Sequence, residues 1–90
     1  MKVKTLPSFW KYYARLDEKV KKQAKKAFTI WKENPFHPSL HFKCVQPEEN
    51  IWSIRITRSY RALCMYEKDT VVWFWIGNHY DYQTLLKHAR

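Results

Sequence analysis

Acidic residues are scarce in this chain: 8 Asp and Glu stand against 17 Lys and Arg, a formal net charge of +9 and a pI near 9.7. Such an imbalance favours a polyanionic partner or an acidic protein. Nucleic acid ranks ahead of a membrane, because no stretch joins a purely basic face to a lipid-type apolar one. Cysteine is limited to Cys44 and Cys64. Both sit in apolar surroundings and nothing resembles a secretory leader, so two buried free thiols in a reducing cytoplasm are expected. Long apolar runs are missing: the longest, Val71 to Ile76, falls far short of the roughly 20 residues of a membrane helix, and a soluble protein without a membrane partner is expected. His37 and His41 lie near one another without the further ligands a metal site requires, so neither metal nor cofactor is expected. Repeats and low-complexity tracts are absent, and the one glycine is Gly77.

What is present is aromatic and apolar. A hydrophobic share of 46% with 18% aromatic excludes a disordered chain, and 90 residues suit one domain, 1–90, with a single modest core. The stretch from Ile51 to His79 reads IWSIRITRSYRALCMYEKDTVVWFWIGNH. Its apolar-rich runs, Ile51 to Ile56, Tyr60 to Tyr66 and Val71 to Ile76, are separated by gaps of hairpin length, which predicts an antiparallel meander. Alternation puts Trp52, Ile54 and Ile56 on one face and Ser53, Arg55 and Thr57 on the other. Arg55 therefore points away from the apolar layer. The third run is apolar on both faces, as a central strand would be, and ends at Gly77 with His79 just beyond.

Ahead of the meander, Lys2 to Leu6 forms a short strand ended by Pro7, and Ser8 stands where an N-cap belongs. Phe9, Tyr12, Tyr13 and Leu16 mark the apolar stripe of a first helix. Asp17 caps a second, whose apolar face is Val20, Ala24, Ala27, Phe28 and Trp31 and whose lysines face outward until Asn34-Pro35 stops it. Joined by almost no linker, the two helices form a hairpin that covers the Trp52, Ile54, Ile56 side of the sheet. Between residues 36 and 50 the prolines exclude a long helix, while Leu40, Phe42 and Cys44 alternate as a short strand does. After His79, Asp81 caps a final short helix with Leu85 and Leu86 inward and Lys87, His88 and Arg90 at its favourable end. The expected class is α+β: an N-terminal strand, a helical hairpin on one face of an antiparallel meander, and a short C-terminal helix.

The order of elements, the segment W-S-I-R-I-x-x-x-Y-R-A-L from Trp52 to Leu63 and the segment W-I-G-N-H-x-x-Y from Trp75 to Tyr82 together resemble the RelE/ParE superfamily of bacterial type II toxins. The resemblance spans essentially the whole chain. It implies a small basic toxin neutralised by an acidic antitoxin. RelE-like members cleave mRNA on the ribosome without metal, using residues on the open face of the sheet; ParE-like members act on DNA gyrase. By that likeness Arg61 matches the arginine that contacts the scissile phosphate, Arg55 a basic position on the preceding strand, His79 a segment that carries a catalytic histidine in some members, and Tyr82 a position where tyrosine is often used. Ser53 departs from the lysine found there in RelE itself.

These residue types suit metal-free RNA cleavage. Histidine exchanges protons near neutrality, and arginine grips phosphate oxygens with paired hydrogen bonds. Arg61 and Arg55 are thus the candidates to hold the phosphate, His79 to transfer a proton and Tyr82 to orient or stack a base. Lys43 and Arg58 extend an RNA path, with Trp73 or Trp75 as stacking surfaces. Three functions stay open on the sequence: an mRNA endonuclease with or without the ribosome, a gyrase-directed toxin, and a non-catalytic relative that binds RNA or antitoxin only.

Overall fold

The computed structural model describes residues 1–88. Five strands, β1 (Lys2–Thr5), β2 (Lys43–Gln46), β3 (Ile51–Thr57), β4 (Tyr60–Glu67) and β5 (Thr70–Asn78), form one sheet in the order β1-β5-β4-β3-β2. Strands β2 to β5 pair antiparallel, as the meander predicts, while β1 runs parallel to β5 at the far edge. The crossover between β1 and the meander consists of α1 (Pro7–Ala14) and α2 (Glu18–Glu33). Helix α3 (His79–His88) follows β5 directly. Arg90 lies outside the described residues, and among those described no helix is long and apolar enough to cross a membrane.

Local signals explain most boundaries. Asp17 Oδ1 accepts from Val20 N–H at 2.9 Å and caps α2, which ends at Glu33 before Asn34-Pro35. Two caps differ from the sequence expectation. Helix α1 begins at Pro7 behind Leu6 with no side-chain cap, and Ser8 Oγ instead donates to the Phe74 carbonyl at 2.9 Å; proline at the first helical position has no N–H that needs a partner. Helix α3 is capped by Asn78, whose Oδ1 accepts from Asp81 N–H at 2.7 Å, so Asp81 sits in the first turn rather than at the cap.

The core lies where the alternation in β3 puts it. Ile54 is fully buried, with Trp52 and Ile56 beside it, under Phe9 of α1 and Ala24, Ala27 and Trp31 of α2. Phe42 stacks into the same layer against Trp31, Trp52 and Tyr66. Leu40 belongs to a 3₁₀ turn (Pro38–Leu40) rather than to β2, and β2 starts only at Lys43. Cys64, on the central strand β4, is buried, but Cys44, on the edge strand β2, is exposed. The expectation of two buried thiols holds for one.

A bulge in β5 splits its two tryptophans between faces. Leu63 pairs with Trp75 and the next residue, Cys64, with Trp73, leaving Phe74 as the extra residue. Trp73 therefore enters the helix-covered core, edge-on to Phe28 and Trp31, while Trp75 joins Ile51, Leu63 and Tyr82 on the opposite face. This is how an apolar run on both faces is buried twice.

Candidate active site

The second face of the sheet is not bare. Helix α3 lies against it through Tyr82, which is 7% exposed, and Leu86, packed with Ile51, Leu63 and Trp75. Tyr82 and Leu86 are one helical turn apart and share a face. Leu85, expected inward, is 37% exposed. The open surface anticipated from the sequence is in fact the strip that α3 leaves beside the turn joining β3 and β4.

On that strip the register aligns the basic residues. Arg55 of β3 pairs directly with Arg61 of β4, and Arg61 with Gly77 of β5. Both guanidinium groups thus share the face opposite the helical hairpin, on adjacent strands where directly opposed Cβ atoms lie about 5 Å apart. Among the described residues neither arginine has a carboxylate within ion-pair distance; the one ion pair is Lys21 with Glu18, far away on α2. Arg61 is held without hydrogen bonds: its guanidinium lies over the Tyr82 ring at 5.2 Å, and its Nε and Nη1 are buried and unpartnered. Leaving a buried donor unpaired costs about 1–3 kcal/mol, more when it is charged. Both donors are free to meet an acceptor from outside the chain.

His79, the first residue of α3, stacks on Tyr82 with ring centroids 5.8 Å apart, and its Nδ1 is also buried without a partner. Its backbone N–H donates to the Ser59 carbonyl, which ties the start of α3 to the β3–β4 turn. Tyr82 thereby connects Arg61 and His79. Its ring is occupied on that account and too buried to stack a base, so the expected base-stacking role gives way to that of a platform. Gly77 is required beside it: a Cβ there would come within 2.6 Å of Trp75 Cζ2.

The other candidates separate. Lys43, exposed on β2, pairs in register with Ser53 on the same face, and Arg58 is exposed in the β3–β4 turn, so both border the strip. Trp73 does not. At 2% exposure beneath α2 it is core, and no nucleic acid reaches it. Ser53 is fully buried with an unpartnered Oγ. One residue at the site escaped the sequence reading: His41, with φ of 48°, places its Nε2 3.4 Å from Arg55 Nη1. Its place level with Arg55 follows from the Lys43–Ser53 pairing two residues on, a register that the sequence alone does not give. Among the described residues no three His, Cys, Asp or Glu side chains gather as a metal-binding group.

Around the ends of β4 and β5, next to Arg61 in sequence and register, a cleft of about 430 Å³ opens between α1 and α3, lined by Tyr12, Arg15, Tyr60, Trp75, Asn78 and Asp81 among others.

Comparison with known proteins agrees with this architecture. A family model, the ParE-like toxin domain, matches residues 18–84. Among solved structures, the chain is similar to a YoeB/ParE toxin from Agrobacterium tumefaciens (TM-score 0.68, 21% identity, covering 89% of this chain and 100% of that one). It is also similar to a chain of the RelB–RelE antitoxin–toxin complex from Methanococcus jannaschii (TM-score 0.72, 15% identity, 90% and 95% covered) and to the isolated RelE toxin of E. coli (TM-score 0.63, 19% identity, 99% and 98% covered). At these identities the structural likeness speaks for the fold. No curated protein matches the sequence.

Proposed function

This chain belongs to the ParE-like toxin domain family, within the RelE/ParE superfamily, and from that premise we propose that it is the toxin of a type II toxin–antitoxin pair that cleaves mRNA without a metal ion. The observation that carries the nuclease reading is the state of Arg61. A half-buried arginine with two buried free donors, paired in register with a second arginine and sharing the Tyr82 ring with an imidazole, matches the needs of a phosphodiester about to gain charge. A protein that inhibited gyrase by surface contact alone would have no use for unpaired buried cationic donors.

In this reading Arg61 and Arg55 bind the non-bridging oxygens of the scissile phosphate and stabilise the extra negative charge of the phosphorane. Tyr82 fixes Arg61 by contact with its cationic face, worth about 0.5–2 kcal/mol, and holds His79 where it exchanges a proton with a ribose oxygen. Lys43 and Arg58 attract the flanking phosphates, and the cleft beside Tyr60 and Asn78 has room for an adjoining nucleotide. The neutralising partner is an acidic antitoxin, consistent with a +9 chain and with the RelB–RelE complex among the similar structures. The test is to incubate the purified toxin with mRNA, with and without ribosomes, and in parallel with gyrase. Transcript cleavage with unimpaired supercoiling supports the reading. Intact transcripts with blocked supercoiling overturn it in favour of the gyrase-directed alternative.

A further inference from the structure

Three titratable or cationic side chains, His41, Arg55 and Arg61, occupy one row across neighbouring chain segments, and His79 stands just beyond its end. Lys43 pairs with Ser53, so two residues back His41 stands level with Arg55, and the 3.4 Å approach of His41 Nε2 to Arg55 Nη1 shows that the two side chains meet. Arg55 pairs with Arg61, Arg61 with Gly77, and His79 follows two residues later as the first residue of α3, its N–H on the Ser59 carbonyl. The order across the sheet is His41, Arg55, Arg61, His79. An imidazole stands at each end of an arginine pair.

We propose that His41 is a second catalytic residue, the general base of the cleavage, with His79 as the general acid; this rests on the nuclease reading given above. Metal-free cleavage of RNA needs both. The 2′-oxygen attacks phosphorus as its proton passes to one group, the P–O5′ bond breaks, and the departing 5′-oxygen takes a proton from the other. The products are a 2′,3′-cyclic phosphate and a 5′-hydroxyl, and one imidazole gains the proton the other has lost.

In-line displacement puts the attacking and departing oxygens on opposite sides of the phosphorus, and His41, 3.4 Å from Arg55 on the β2 side, stands across the arginine pair from His79; it is therefore the group left to take the 2′-proton when His79 supplies the other. His41 closes the Pro38–Leu40 3₁₀ turn with a left-handed backbone at φ 48°, and the ring lies on the arginine side of the sheet. Neighbouring strands lie about 4.8 Å apart, so the row from His41 to Gly77 spans about 14 Å at the backbone, with His79 two residues beyond its end. His41 contacts Arg55, and His79 contacts the tyrosine that carries Arg61.

The experiment compares wild type, His41→Asn and His79→Gln on an ordinary mRNA fragment and on one whose scissile 5′-oxygen is replaced by sulfur, with ribosomes present. A thiolate leaves without protonation, so loss of a general acid is repaired on the sulfur substrate and loss of a general base is not. Asparagine tolerates the left-handed backbone, His41 is exposed, and thermal unfolding of each variant verifies the fold; His41→Gln serves as a second variant. The expected result is a kcat lowered about 100-fold or more in both variants on ordinary RNA, restored on the sulfur substrate for His79→Gln and not for the His41 variants. Two results overturn the assignment: His41 variants within threefold of wild type on ordinary RNA, or restored by sulfur as His79→Gln is. A wild type that cuts neither substrate overturns the nuclease reading itself, and this inference falls with it.

Discussion

Arg61 concentrates the cost and the use of this site in one side chain. Burying two guanidinium nitrogens without acceptors is unfavourable in the free protein, and contact with Tyr82 offsets only part of it. Arg61→Ala is therefore expected to lower cleavage by about 100- to 1000-fold while shifting the thermal midpoint by only a few degrees; a variant that cuts as wild type does would remove Arg61 from the chemistry. Arg61→Lys should not rescue, because an ammonium lacks the paired, planar donors. The thiols differ as sharply. Burial pushes Cys64 up to about 12, whereas Cys44 is exposed on the edge strand. A maleimide added to the native protein at neutral pH should label Cys44 alone, and mass spectrometry of the peptides checks it. Because the folded Cys64 keeps its proton where an unfolded thiol would lose it, its contribution to stability is complete below about pH 9 and declines as the pH rises toward 12.

Among the elements, β5 and α3 decide what the sheet can present. The bulge at Phe74 sends Trp73 into the core and Trp75 to the other face, and Trp75 then lies over Gly77. Gly77→Ala would put a methyl 2.6 Å from an indole carbon, and it is expected to cost about 1–3 kcal/mol and to shift α3, which begins two residues later. Denaturant unfolding measures it; a variant as stable as wild type would show that the indole moves freely. The strand pattern itself was legible. Alternation in Ile51 to Thr57 identified the core face and put Arg55 opposite it, and the second helix announced its start at Asp17 and its end at Asn34-Pro35. The bulge was not legible, because a run of Val, Trp, Phe and Ile is equally apolar in any register; this is why Trp73 read as a surface for bases. Nor was the descent of α3 onto the sheet, since Leu85 and Leu86 are alike in composition and only their position relative to Tyr82 decides which turns inward. His41 was hidden for a third reason: its place in the row comes from pairing across β2 and β3, which local sequence does not encode.

For the whole molecule, the charge distribution supplies what the site alone cannot. Lys19, Lys22, Lys25, Lys26 and Lys32 are exposed on α2, on the side of the sheet away from Arg55 and Arg61, so in the proposed function they add to a general field rather than to the contacts with one phosphate. RNA affinity should fall steeply with salt, with a logarithmic slope near −0.7 per phosphate contacted. Arg58→Ala and Lys43→Ala together should reduce that slope and weaken binding while leaving the chemical step near its wild-type rate. Titration by fluorescence anisotropy at several salt concentrations checks both. The most direct test of the central claim is to map new RNA 5′ ends after purified toxin acts on ribosome-engaged mRNA, comparing wild type with Arg61→Ala. The account predicts discrete 5′-hydroxyl ends with wild type and their loss in a folded Arg61→Ala. Ends that persist in that variant, or a wild type that leaves mRNA whole while it halts gyrase, would contradict it.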